Sequence, residues 1–199
     1  MKKEVKYIIG IDEAGRGPLA GPVAVGAVCV RRDFRMEFFK GIRDSKQISE
    51  KTREDWFKKI KAEKKKGNLD YKVSFSGSGT IDKKGIVKAI ARAIKSCLIR
   101  LKVKSKEVSV LLDGSIKAPA QFRNQKTIIG GDETEPLISA GAIMAKVSRD
   151  RKMSRMAEKY PNYDFHIHKG YGTAAHLKKI KKFGLSPIHR RSFLKNFAK

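Results

Sequence analysis

Four carboxylates stand apart from the basic background of this 199-residue chain: Asp12, Glu13, Asp113 and Asp132. Each follows an apolar run or a glycine-rich turn, where a strand would give out, rather than sitting on a solvated helix face. Grouped hard oxygen ligands suit Mg²⁺ or Mn²⁺, which keep several waters and accept phosphate oxygens as further ligands. Two such ions about 4 Å apart can activate a water and stabilise the leaving oxygen of a phosphodiester. Without metal the cluster would be a liability, because crowded like charges raise one another's pKa. Adjacent residues of a strand face opposite ways, so Asp12 and Glu13 converge only if the chain leaves the strand between them. Gly15, Gly17 and Pro18 provide for that departure. Taken alone, Asp113-Gly114 is also an ordinary turn after a strand, and Asp132-Glu133 could be a loop acid.

The elements that must position these acids follow from periodicity. Tyr7 to Ile11 and Val23 to Val30 are short β-branched runs, read as two strands joined by a Gly/Pro-rich loop, and Phe34 to Phe39 could add a third. Ser49 caps a helix with Trp56, Phe57 and Ile60 on its apolar face and Lys58, Lys59, Lys61 and Lys64 to Lys66 on its solvated one. Gly67 and Asn68 end it, and Tyr71 to Phe75 alternates as an edge or half-buried strand. From about Asp82, Ile86, Ile90, Ile94, Cys97, Leu98 and Leu101 recur at spacings of three and four, predicting one long amphipathic helix. Val108 to Leu112 reads as a buried strand delivering Asp113, and Lys126 to Ile129 as one more short strand. Ser139 to Met156, with small residues at Ala142 and Ala145, predicts a closely packed helix, and Thr173 caps another that ends at Gly184. Strands interleaved with helices predict an α/β layer with a mixed sheet.

Composition narrows the partner. Forty-six Lys and Arg stand against twenty Asp and Glu, a formal net charge of +26, and a hydrophobic content of 40% is enough for one sizeable core. From Lys146 to Lys199 there are fifteen basic residues and three acids, Asp150, Glu158 and Asp164. A polyanion is the expected partner, against two other sources of such charge, a membrane surface and generic Lys enrichment. No apolar run is long enough to span a bilayer, and the N-terminus does not read as a signal peptide. Cys29 and Cys97 lie among apolar neighbours, which suits a reducing compartment and makes the cytoplasm the expected location. His166, His168, His176 and His189 lack nearby acids or cysteines, so a zinc site is not expected. Asp150 reads as a partner for an Arg.

The stretch Gly10-Ile11-Asp12-Glu13-Ala14-Gly15-Arg16-Gly17-Pro18-Leu19-Ala20-Gly21-Pro22-Val23 resembles the bacterial and archaeal ribonuclease HII family. So do Asp44-Ser45-Lys46, Leu112-Asp113-Gly114, Ala145 to Arg151, and His168-Lys169-Gly170-Tyr171-Gly172-Thr173 with His176-Leu177, all in the family's order. The resemblance runs from about Ile8 to Phe193 and implies a ribonuclease H-like fold: a central mixed sheet flanked by helices, with a basic helical C-terminal part. One domain over residues 5–199 is expected, of which roughly 158–199 is a small extension that helps bind substrate. Two departures stand out. The family commonly has a basic residue where this chain has Gly130, and its Ala-Ala-Ser-Ile helix start appears here as Ser139-Ala140-Gly141-Ala142-Ile143.

By resemblance, Asp12, Glu13, Asp113 and Asp132 are the catalytic, metal-binding acids, with two Mg²⁺ or Mn²⁺ ions in the active complex. Gly15-Arg16-Gly17 would read the ribose 2′-hydroxyl, the group that tells RNA from DNA at one position. Tyr171 would sit beside that ribose at the RNA–DNA junction, and Lys46 and Lys146 would hold phosphates. The implied activity is endonucleolytic: cutting the RNA strand of RNA/DNA hybrids, and nicking DNA duplexes 5′ of embedded ribonucleotides to leave 5′-phosphate and 3′-hydroxyl ends. A monomer is expected, and a replication-clamp contact is not readable from the sequence. The ribonuclease HIII type lacks the junction tyrosine motif and usually carries an extra N-terminal domain, so it is disfavoured. From another class, a non-catalytic basic nucleic-acid-binding module would account for the charge but not for the four acids.

Overall fold

The computed structural model describes residues 4–42, 45 and 47–195. Strand β1 (Tyr7–Ala14) pairs antiparallel with β2 (Val23–Arg31), and β2 pairs antiparallel with β3 (Leu69–Ser76). On its other side β1 runs parallel to β4 (Val108–Asp113), which runs parallel to β5 (Gln125–Ile128), giving the order β3-β2-β1-β4-β5. The sheet is mixed as predicted, with β1 at the centre where strand direction changes.

Alternation along the strands feeds two cores. Ile9, Ile11, Val25, Ala27, Val110 and Leu112 face α2 (Ser78–Lys84) and α3 (Ile86–Leu101), whose Ile81, Ile90, Ile94 and Leu98 are buried against them. Val28 and Val30 face α1 (Glu50–Lys65) and α5 (Pro136–Lys159), meeting Trp56, Phe57, Ile60, Leu137, Ile143 and Met144. The Ser49 hydroxyl caps α1 by accepting from the Thr52 N–H, as its position predicts. Between β5 and α5, Gly131–Thr134 forms the single turn α4.

Helix α5 lies directly on the sheet centre because three glycines remove the side chains between them. A Cβ on Gly10 would stand 2.2 Å from the Leu137 carbonyl, one on Gly26 2.2 Å from the Gly141 oxygen, and one on Gly141 3.0 Å from the Gly26 oxygen. Backbone at that distance cannot give way, so the close packing expected of this helix depends on small residues from both partners. Gly141, one of the two departures noted above, is among them.

Beyond α5 the chain forms α6 (Phe165–His168) and α7 (Ala174–Phe183), joined by short turns. A third apolar cluster, Ala20, Met153, Ala157, Tyr163 and Phe165, fastens this C-terminal part to α5 and to the loop after β1. Thr173 caps α7 through a bond from the His176 N–H, and α7 ends at Gly184.

Two sequence expectations are corrected. Phe34 to Phe39 is not a strand: Met36–Phe39 forms a 3₁₀ turn, because Phe34, Phe38 and Phe39 cluster with each other and Phe38 packs edge-on against Trp56 at 6.1 Å. The long helix from Asp82 is two helices, broken at Gly85, whose φ of +79° takes the chain out of the helical region. Asp82 instead accepts from the main-chain N–H groups of Arg191 and Ser192, tying α2 to the C-terminal end.

Candidate active site

Parallel pairing of β1, β4 and β5 brings their carboxyl ends side by side, with Ile11 opposite Leu112 and Asp113 opposite Ile128. Asp12 therefore emerges next to Asp113. After β5 the Gly130-Gly131 turn folds back into α4, carrying Asp132 to the same place. Asp12, Asp113 and Asp132 offer carboxylate oxygens that all lie within 4.8 Å of one another, the set with metal-holding geometry among the described residues. Asp12 and Asp132 are each 6% exposed, whereas Asp113 is half-buried.

Hydrogen bonds fix the trio. The Glu13 N–H donates to Asp12 Oδ1 at 2.6 Å and the Gly131 N–H to Asp113 Oδ1 at 2.9 Å. The Ser139 hydroxyl, on the first turn of α5, donates to the Asp132 main-chain oxygen at 2.7 Å. Burial pushes the Asp12 carboxyl well above the ordinary aspartate range, and the charge of Glu13, then those of Asp113 and Asp132, push it the same way against the Glu13 N–H bond. A buried group of acids, one of them so opposed to ionising, is a donor set suited to a divalent cation, which neutralises the charge that burial penalises.

Glu13 enters differently from the way its sequence position suggested. The chain does not leave the strand between Asp12 and Glu13; pairing with β2 continues to Ala14 opposite Ala24. Pairing with β4 stops at Ile11, so beyond it this edge of β1 is open and both acids line one cavity of about 590 Å³. There the Glu13 carboxylate accepts from the Arg16 guanidinium at 3.1 Å.

The same cavity is lined by Gly15, Arg16 and Gly17 from the loop after β1, by Lys146 from α5 and by Tyr171 from the turn before α7. Tyr171 is 43% exposed, and the Lys146 ammonium lies 5.9 Å from its ring centroid. Lys146 also pairs with Asp150 at 2.9 Å one turn further on, so the partner of Asp150 is a lysine and not the expected arginine. Gly15 has φ +89°, and a Cβ there would fall 1.9 Å from Arg149 Nε, so both conformation and space require glycine. Lys46 and Asp44 lie outside the described residues.

Three residues at or beneath the site escaped the sequence reading. Arg53 lines the cavity from α1 and donates to the Ser45 carbonyl at 2.7 Å. Arg149 and Arg190 are fully buried behind the loop that follows β1. For Arg149 a signal existed: Ala142, Ala145 and Arg149 fall at spacings of three and four, on the face of α5 that packs inward. For Arg190 there was none. Every ring nitrogen of His168, His176 and His189 is engaged within the protein.

A mixed sheet with acids gathered at the ends of its parallel strands, opening on a cavity edged by basic and aromatic side chains, defines a nuclease of the ribonuclease H type. Residues 9–196 match the family model for ribonuclease HII. Ribonuclease HII of Endomicrobium trichonymphae is 44% identical over 186 residues, covering 94% of this chain and 84% of that one. The chain belongs to the ribonuclease HII family. In structure it is similar to ribonuclease H2 from Pyrococcus horikoshii OT3, with a TM-score of 0.69 at 25% identity over 97% of this chain and 99% of that one. It shares its fold with ribonuclease HII of Archaeoglobus fulgidus, solved in complex with PCNA, with a TM-score of 0.74 at 24% identity over 92% of this chain and 93% of that one. Among the described residues, no helix is long and apolar enough to cross a membrane.

Proposed function

We propose that this ribonuclease H cuts the RNA strand of RNA/DNA hybrids and nicks DNA duplexes on the 5′ side of an embedded ribonucleotide, leaving 5′-phosphate and 3′-hydroxyl ends. The observation that carries the reading is one cavity lined by Asp12, Glu13 and Asp113, by the Gly15-Arg16-Gly17 loop and by Tyr171, with Asp132 clustered against Asp12 and Asp113. Bound there, two divalent ions, Mg²⁺ or Mn²⁺, would supply activation of the attacking water and stabilisation of the leaving oxygen.

The residues divide the rest of the work. Asp12, Glu13, Asp113 and Asp132 would hold the ions, and the bonds onto Asp12, Asp113 and the Asp132 backbone fix their orientation. Gly15, with no side chain, lets the loop close over Arg149, and Gly17 leaves open space for the sugar to approach the backbone, since nothing stands within 4 Å of where its Cβ would be. Arg16, held by Glu13, and the Tyr171 ring flank the ribose, whose 2′-hydroxyl is recognised and not consumed. Lys146 offers its ammonium to a phosphate, and Lys46 is assigned the same role by its motif. The C-terminal part from residue 158 adds phosphate contacts through its excess of basic residues.

A non-catalytic basic module would bind nucleic acid without gathering three acids within 4.8 Å in a chain of net charge +26. The test is Asp113→Asn: cleavage should fall by roughly a thousand-fold or more while affinity for the duplex stays near that of the unaltered chain. Full activity in that variant would remove Asp113 from the site.

A further inference from the structure

Two adjacent residues near the C-terminal end, His189 and Arg190, reach the two parts of the cavity that read the sugar. Their backbone is stitched to the loop after β1: His189 bridges Ala20, and the Arg190 N–H donates to the Leu19 carbonyl at 2.7 Å. From there the side chains part.

Arg190 turns its guanidinium beneath the loop and donates to three of its carbonyls, Gly15 at 2.7 Å, Arg16 at 2.9 Å and Gly21 at 3.0 Å. In a trans peptide the N–H points opposite to the carbonyl, so holding the Gly15 and Arg16 oxygens inward turns the Arg16 and Gly17 N–H groups away from Arg190. Those two N–H groups meet no acceptor among the described residues. Each of the three guanidinium nitrogens takes a different oxygen, whereas a lysine ammonium would have to reach all three from a single nitrogen.

His189 leads to Tyr171. Its Nδ1 accepts from the Ser186 N–H at 2.8 Å, which leaves the proton on Nε2. That proton is donated to His176 Nε2 at 3.0 Å, and His176 Nδ1 in turn donates to the Tyr171 carbonyl at 2.8 Å. Each ring nitrogen thus has one consistent role, and the chain of bonds ends on the backbone of the residue whose ring edges the cavity. Both histidines are nearly inaccessible, with His176 0% and His189 2% exposed.

We infer that Arg190 and His189 are positioning residues for sugar recognition: Arg190 sets the peptide orientation of the Gly15–Gly17 loop, and His189 acts through His176 to set Tyr171 against it. This rests on the reading of that loop and Tyr171 as the ribose-reading elements. It follows that disturbing either residue impairs turnover at a single ribonucleotide while leaving the acid cluster, which neither side chain touches, able to bind metal.

Arg190→Lys keeps the charge and loses the fork; His189→Asn keeps an acceptor near the Ser186 N–H and loses the reach to His176. For each, kcat and KM are measured on a DNA duplex bearing one ribonucleotide, alongside Mn²⁺ affinity by calorimetry on the protein alone. The inference expects kcat to fall roughly ten-fold or more in both variants, with Mn²⁺ affinity within about two-fold of the unaltered chain. Wild-type kcat in His189→Asn, or parallel loss of turnover and Mn²⁺ affinity in both variants, would overturn it. If Arg190→Lys does not fold, His189→Asn decides alone. An unaltered chain that cuts while the variants match it tells against this inference only; an unaltered chain that never cuts brings down the reading beneath it as well.

Discussion

The Gly131 N–H donates to Asp113 Oδ1 at 2.9 Å, so the turn that carries Asp132 is pinned to the acid at the end of β4. Two of the three clustered carboxylates are therefore set by one hydrogen bond from the turn after β5 to the end of β4, and the third, Asp12, is set by β1, which lies between β4 and β2. Gathering these acids has a cost that falls on Asp12 through burial and like charge.

A cation that relieves this cost should stabilise the fold. Saturating Mn²⁺ or Mg²⁺, at a hundred times its dissociation constant, adds about 2.7 kcal/mol to unfolding stability by mass action. Thermal melts with and without the ion should show the upward shift. Asp113→Asn, which removes one carboxylate of the cluster and weakens the brace on Gly131, should lose most of it. An equal shift in both proteins would place the cation elsewhere.

Gly15→Ala meets two obstacles at once, a φ of +89° and a Cβ falling 1.9 Å from Arg149 Nε. Strain and overpacking together should cost about 2 kcal/mol or more in urea unfolding, and turnover should fall with it. Gly17→Ala has open space at its Cβ and should unfold within about 0.5 kcal/mol of the parent.

Much of this site was legible in the sequence, for reasons that particular residues make clear. Asp12 and Asp113 could be read because each ends an apolar strand, and parallel pairing then makes them neighbours. Asp132 needed the family resemblance, since a glycine turn and a four-residue helix leave no periodic signal. The break at Gly85 escaped notice because the periodic apolar residues all lie after it, from Ile86 on, and Phe34 to Phe39 looked strand-like because aromatic runs suit strands as well as a clustered turn. Burial of Arg190 could not be read: a basic residue in a basic tail is solvated by default, and only the loop carbonyls it meets, some 170 residues away in the chain, draw it inward.

Tyr171 is 43% exposed and packs little, so Tyr171→Ala should leave the melting temperature nearly unchanged. Cleavage at a single ribonucleotide should drop roughly ten-fold or more, because a ring stacked at the junction contributes about 1 to 3 kcal/mol. A variant with parental kcat and KM would take Tyr171 out of recognition.

Burial lowers the basicity of His168, His176 and His189, His189 to about 4. In the unfolded chain these side chains protonate near pH 6.5, so between there and about pH 4 the unfolded state binds more protons. Their contribution to stability is complete above that window and is lost as pH falls through it. Urea midpoints measured from pH 7.5 down to about 4.5 should decline, and less steeply in His189→Asn, which has one fewer neutral imidazole to protonate. A decline of the same steepness in that variant would contradict the assignment.

If the acids, the loop and Tyr171 form one ribose-directed nuclease site, a DNA duplex with a single ribonucleotide in one labelled strand, incubated with the protein and Mg²⁺ or Mn²⁺, should be nicked once, on the 5′ side of that ribonucleotide. The nick should leave a 5′-phosphate and should be absent without the divalent ion. An intact strand under every divalent ion, or equal cutting of the all-DNA duplex, would show that no such site exists.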